Sequence, residues 1–174
     1  RLRVAVHYDF ASALCYVAHR VMERLAPALV ELGVELAWTP LDLARVTGWR
    51  AGEPVATPRR ANVLRVASEL GVPLRLPACW TDSREAGAAA LLLEGTPREA
   101  AWRERVFSAL FEEGRDLGEA EVLDALGRDL GLAFARHAPV ERDRGRSLPL
   151  DHDPGQLRLG RVGGSRDARD VGRG

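Results

Sequence analysis

The sequence predicts an α/β domain in which a βαβ unit is followed by an all-helical block, and three patterns predict it. Leu2-Arg3-Val4-Ala5-Val6-His7-Tyr8 is a run of mostly β-forming residues. Leu14, Ala18, Val21, Leu25, Leu29 and Leu32 then recur at helical spacing until Gly33 stops them. Val34-Glu35-Leu36-Ala37-Trp38-Thr39 alternates apolar and polar residues and ends at Pro40, as a second strand would. Strand, helix and strand in that order join parallel strands through a right-handed crossover. Pro27 lies inside the helix, where it removes one backbone hydrogen bond and is expected to kink the axis.

Residues 41–58 carry the breakers Gly48, Gly52, Pro54 and Pro58 and read as loop. Four helices are expected beyond it. Ala61, Leu64, Val66, Ala67 and Leu70 mark the first, and residues 83–93 the second. Trp102, Val106 and Leu110 mark the third, and Val122, Leu123, Leu126 and Leu130 the fourth. Apolar density falls after Leu132. Residues 147–159 read as a short hairpin around Asp153-Pro154-Gly155. Residues 160–174 are Gly, Arg and Asp rich and read as a disordered tail. The expected organisation is one domain over 1–159, with its helical insertion at about 59–131 and an atypical C-terminal part.

Composition narrows the chemistry. The 174 residues include 25 basic and 25 acidic side chains, a formal net charge of zero, which leaves no global field to attract nucleic acid or an anionic membrane. Every basic residue is arginine, so mechanisms that need a deprotonated lysine, such as Schiff-base formation, are excluded. Cys15 and Cys79 lie far apart without metal-ligand spacing, which suits reduced thiols. With no leader before Arg1 and no apolar run near the roughly 20 residues of a membrane span, a cytoplasmic location is expected.

The most informative segment is Asp9-Phe10-Ala11-Ser12-Ala13-Leu14-Cys15-Tyr16, where the first strand meets the first helix. A helix N-terminus presents unpaired N–H groups and a partial positive charge, and so favours a thiolate without a metal. Ser12 and Cys15 have the spacing of a C-x-x-C redox motif with its first sulfur replaced by oxygen. Each has a plain structural role beside the chemical one. Ser12 is an N-cap by position, and Cys15, one turn in, is placed to be a core cysteine. Without a partner at position 12, Cys15 cannot close the usual internal disulfide, although a mixed disulfide with glutathione remains open to it. Asp9 before a helix is commonly a cap, and His19 shares a helical face with Cys15, where packing is its ordinary use. Cys79 reads as core or pocket wall. Asp151-His152-Asp153 stands beside Pro-Gly and reads as a turn, so no metal site is expected.

Taken together, these motifs resemble the DsbA-like branch of the thioredoxin superfamily, nearest to its 2-hydroxychromene-2-carboxylate isomerase and kappa-class glutathione transferase members. The resemblance covers residues 4–132. Asp9, Phe10, Ser12 and Tyr16 fit an Asp-Phe-x-Ser-Pro-x-x-Tyr segment, with Ala13 where proline is usual. Trp38-Thr39-Pro40-Leu41-Asp42-Leu43 resembles the family's second strand and its exit. Arg65-Val66-Ala67-Ser68-Glu69-Leu70-Gly71-Val72-Pro73 resembles its R-x-A-x-x-x-G-V-P segment, and Val106-Phe107-Ser108-Ala109-Leu110-Phe111-Glu112-Glu113-Gly114 its V-F-x-A-x-F-E-x-G segment. The resemblance implies a thioredoxin-like fold and a glutathione-linked isomerase or transferase. Ser12 would donate to the sulfur of bound glutathione, and Asp9, Phe10, Tyr16, Arg60 and Pro77 would stand around the thiol and a small-molecule electrophile. It also implies a homodimer. The alternatives are a thiol–disulfide oxidoreductase working through Cys15 and a degenerate thioredoxin-fold binding protein.

Two departures from the pattern bear on the site. The family's lysine in the loop beyond the second strand has no counterpart, and Arg60 after Pro58 is a loose substitute. After Leu132, nothing matches the family's Gly-Val-Pro segment, whose cis-proline faces the site, nor the two strands and helix that follow; Pro149 is the nearest proline without the expected neighbours. A chain lacking that half would leave an exposed sheet edge and a site short of one wall.

Overall fold

The computed structural model describes residues 1–132. The expected hairpin, Pro149, the Asp-His-Asp run and the tail lie outside the described residues. Strand β1 (Leu2–Tyr8) runs parallel to β2 (Val34–Pro40), in register from Leu2 opposite Val34 to Tyr8 opposite Pro40. Between them, α1 (Ala13–Glu31) makes the crossover. Gly33 adopts φ +68°, a left-handed conformation that glycine takes without a Cβ penalty, and so turns the chain from α1 into β2.

The loop expected after β2 contains a short helix, α2 (Leu43–Thr47). Asp42 caps it by accepting from the Arg45 N–H at 3.4 Å, and Gly48 ends it at φ +77°. The breakers thus bound one turn of helix rather than forbidding it. Helices α3 (Thr57–Glu69), α4 (Arg84–Leu92), α5 (Glu99–Phe111) and α6 (Ala120–Asp129) form the helical block.

Helix α5 is the hub of the core. Trp102, Val106, Phe107, Leu110 and Phe111 fall on one side at helical spacing and are all buried. Phe107 packs its ring 5.8 Å from Tyr8, 5.0 Å from Phe10, 6.0 Å from Tyr16 and 5.2 Å from His19. One side chain of the helical block therefore fixes the end of β1 and the first two turns of α1. Across from it, the small buried residues Ala86, Ala89 and Ala90 let α4 approach, and the Trp102 indole N–H donates to the Ala86 carbonyl at 3.1 Å.

The apolar stripe that identified α1 in the sequence is largely not its core face. Ala13, Tyr16, Val17 and His19 are buried, whereas Leu14, Leu25, Val30 and Leu32 are exposed. Leu2 and Val4 on β1 are exposed as well. Among the described residues the sheet has two strands, so one edge of β1 and this face of α1 have no neighbour there. The period of the pattern marks the helix correctly but not which side the described core covers.

Candidate functional site

The turn from β1 into α1 is held from within. Asp9 is 2% exposed, and its carboxylate accepts from the Ala11 N–H at 2.8 Å and the Ser83 hydroxyl at 2.6 Å through Oδ1, and from the Leu43 N–H at 2.7 Å through Oδ2. It ties the junction to the starts of α2 and α4. Phe10 is packed in the core against Tyr8 and Phe107. Tyr16 is fully buried, and its hydroxyl donates toward Glu112 at 2.8 Å and the Pro73 carbonyl at 3.1 Å. Burial pushes the Tyr16 phenol above its ordinary pKa and that of neighbouring Tyr8 up to about 12, so both stay neutral at physiological pH. Asp9, Phe10 and Tyr16 thus form the frame of the turn, with their polar atoms engaged by protein.

Ser12 has extended backbone, φ −88° and ψ 111°, and its Oγ accepts from the Cys15 N–H at 3.4 Å. That is the N-cap geometry the sequence predicts. The hydroxyl proton is donated to no acceptor among the described residues, and the Ala13 and Leu14 N–H groups have no acceptor there either. Ser12 is 7% exposed, and Cys15 is half-buried with a free thiol. Three cavities along the described residues are lined by other side chains. The one linked most directly to the turn, about 320 Å³, includes Ser83, the partner of Asp9, together with Trp49, Arg45, Arg50 and Arg84.

Arg60 and Pro77 are hydrogen-bonded to each other. The half-buried Arg60 donates from Nη1 to the Pro77 carbonyl at 2.5 Å, and no hydrogen bond among the described residues joins this pair to the junction. Cys79 is exposed rather than buried, in an isolated antiparallel bridge with Pro54. Ser83 was not legible as a site residue. It precedes a helix as an N-cap would, yet its hydroxyl makes no cap bond and turns to Asp9 instead.

The DSBA-like thioredoxin domain model matches residues 3–142. This chain belongs to that family. The structure also resembles a 2-hydroxychromene-2-carboxylate isomerase, with TM-score 0.59 and 22% identity over 76% of this chain and 67% of that one. It resembles the cytosolic disulfide reductase DsbM from Pseudomonas aeruginosa, solved with GSH, with TM-score 0.54 and 26% identity over 75% of this chain and 66% of that one. Among curated proteins, the uncharacterized protein YwbO of Bacillus subtilis (strain 168) is 25% identical over 140 residues, 75% of this chain and 67% of YwbO. The chain therefore spans about two thirds of the length of these relatives. The fold is the DsbA-like thioredoxin fold with its helical insertion, as the motifs anticipated. No helix among the described residues is long and apolar enough to cross a membrane.

Proposed function

We propose that this member of the DsbA-like family is an enzyme that holds a low-molecular-weight thiol, glutathione, at the N-terminus of α1 and passes it to a small electrophile. The observation that carries this is the donor set at one turn: a Ser12 hydroxyl whose lone pair is used by Cys15 and whose proton is uncommitted, beside the unpaired N–H groups of Ala13 and Leu14. Three neighbouring donors and the helix dipole favour a thiolate over a thiol. Serine does not ionise near neutral pH, so Ser12 is a donor to the nucleophile. The glutathione thiolate would add to an activated double bond of the electrophile, forming a C–S bond as the π pair moves onto the conjugated acceptor and takes up a proton from water; in an isomerisation the reverse elimination gives up that proton, re-forms the double bond and returns the thiolate. The 320 Å³ cavity has Trp49 on its wall and three arginines, Arg45, Arg50 and Arg84, against two carboxylates, Asp42 and Asp82, with Arg84 paired to Asp82; the small positive balance suits a small electrophile with at most one negative charge. Ser12 is 7% exposed, so only a small part of its surface is open to an approaching thiol.

The experiment is a titration of glutathione by calorimetry and of its thiol by ultraviolet absorbance in the complex. The expected result is binding with a depressed thiol pKa, and Ser12→Ala should return that pKa toward its free value. Absence of binding, or a bound thiol with an unshifted pKa, overturns the proposal and leaves a binding protein of this fold. The half-buried free thiol of Cys15 and the likeness to a disulfide reductase support a second reading, thiol–disulfide exchange through Cys15. Rapid alkylation of Cys15 at neutral pH, with no glutathione bound at Ser12, would favour that reading.

A further inference from the structure

On the opposite side of α1 from its apolar stripe, three side chains converge that the thiol site does not use. His19 Nε2 lies 2.9 Å from Glu104 Oε2 and 3.5 Å from Glu23 Oε1, and these three atoms fall within 4.8 Å of one another. His19 and Glu23 share a face of α1 at i and i+4, and Glu104 comes from α5. The histidine ring is fixed by stacking on Phe107 at 5.2 Å and by the edge of Trp38 at 5.6 Å.

The outer oxygens of both carboxylates are anchored. Arg20 Nη1 sits 2.8 Å from Glu104 Oε1 and 2.9 Å from Glu23 Oε2, and the Ser108 hydroxyl donates to Glu104 Oε1 at 3.3 Å. The inner oxygens are left facing the imidazole. Glu23, Glu104 and Glu112 all pair with the same Arg20, while Arg103, the next cation, is paired with Glu99 at 3.2 Å. Three carboxylates against one guanidinium leave two excess negative charges.

We propose that His19 Nε2, Glu23 Oε1 and Glu104 Oε2 bind a divalent cation of the zinc type, clasping α1 to α5. A divalent ion cancels the excess charge, and imidazole with carboxylate oxygen suits zinc better than magnesium. Tetrahedral zinc at roughly 2.0–2.2 Å places its ligands about 3.3 Å apart, so the histidine to Glu23 spacing fits and the histidine to Glu104 spacing opens by a few tenths of an ångström. Arg20 and Ser108 supply the outer hydrogen bonds that orient both carboxylates. Glu23 borders two cavities, of about 470 and 760 Å³, which give the ion an approach and leave a fourth position for water.

The test uses the full chain, stripped with a chelator and titrated with zinc chloride by calorimetry and with cobalt(II) by absorbance. One ion per chain is expected, with no thiolate-to-cobalt charge-transfer band. The half-exposed Glu23→Gln should weaken binding by about tenfold or more, Glu104→Gln at least as much, and the paired Cys79→Ser and His152→Ala changes should leave it as in the parent. Circular dichroism of Glu23→Gln confirms that the loss is not unfolding. No zinc binding, a sulfur-to-cobalt band, or affinity unchanged in Glu23→Gln each overturns the site.

Discussion

Removing the Asp9 carboxylate should be among the most damaging single changes to the described unit. Asp9→Ala leaves the Ala11 and Leu43 N–H groups and the Ser83 hydroxyl without their acceptor. A buried donor stripped of its partner costs about 1–3 kcal/mol, and the Ser83 hydroxyl can rotate to recover part of its share. The sum is about 3–5 kcal/mol, at the top of what single substitutions do and a large part of a typical 5–15 kcal/mol total. Asp9→Asn keeps the shape and one oxygen. That oxygen can still serve Ala11 and Ser83 while the amide faces the Leu43 N–H, a loss of about 1.5–3 kcal/mol. Ser83→Ala removes a donor and leaves the carboxylate its two backbone bonds, which costs about 1 kcal/mol. Urea unfolding followed by circular dichroism gives all three values from midpoint and slope. Asp9→Ala and Ser83→Ala share a bond, so together they should cost less than their sum. An Asp9→Ala cost below about 1 kcal/mol, or Asn at least as harmful as Ala, would refute the account of Asp9 as the strut of the turn.

Tyr16→Phe strips a hydroxyl that donates to Glu112 and to the Pro73 carbonyl, and should destabilise by about 1–3 kcal/mol in the same assay without altering glutathione affinity. Acid should weaken the fold in two stages. Burial holds His19 below its ordinary pKa of about 6.5, against the opposing pull of its hydrogen bond to Glu104 and the charge of Glu23, and with Arg103 lowering it further. The unfolded chain then binds the extra proton, so stability falls as pH drops through about 6.5 and levels off below the native value. Burial raises Glu104 and Glu112, but hydrogen bonds from His19 to the first and from Arg20 and Tyr16 to the second outweigh it and hold both below 4.5; their contribution is lost as pH falls further. His19→Gln, compared with the parent in chelator by urea midpoints from about pH 7 to 5, should abolish the first stage.

Elements were legible in the sequence where a local rule governed them. The βαβ unit followed from Leu2–Tyr8, Val34–Pro40 and the spacing between, and Ser12 was legible as an N-cap because capping is decided within three residues. What was not legible came from distance in the chain. Asp9 looked like a cap or a ligand group, and only the approach of Ser83, 74 positions later, and the Leu43 N–H engages its remaining oxygen capacity. Tyr16 looked available to a ligand until Glu112 and Pro73 closed over its hydroxyl. The α1 stripe misled for a related reason: Tyr16 and His19 are amphipathic, score weakly as core, and yet are the residues that meet Phe107.

Because Asp9, Phe10 and Tyr16 are engaged by protein, the donors at the start of α1 hold their positions without a ligand. Preorganised donors gain their effect from not having to reorganise when charge appears, so the frame and the chemistry should separate experimentally. Ser12→Ala removes one cap bond, 3.4 Å long, at a cost of about 1 kcal/mol, while deleting the one side-chain donor proposed for the thiolate. Asp9→Asn should do the reverse, costing more stability but leaving Ser12, Ala13 and Leu14 as donors in whatever fraction is folded. Thiol pKa in the glutathione complex, measured at a temperature where each variant is fully folded, distinguishes the two. A shift lost in Asp9→Asn and kept in Ser12→Ala would mean that the backbone geometry imposed by the strut, rather than the Ser12 hydroxyl, lowers the thiol pKa, since removing a negative charge by itself lowers it further.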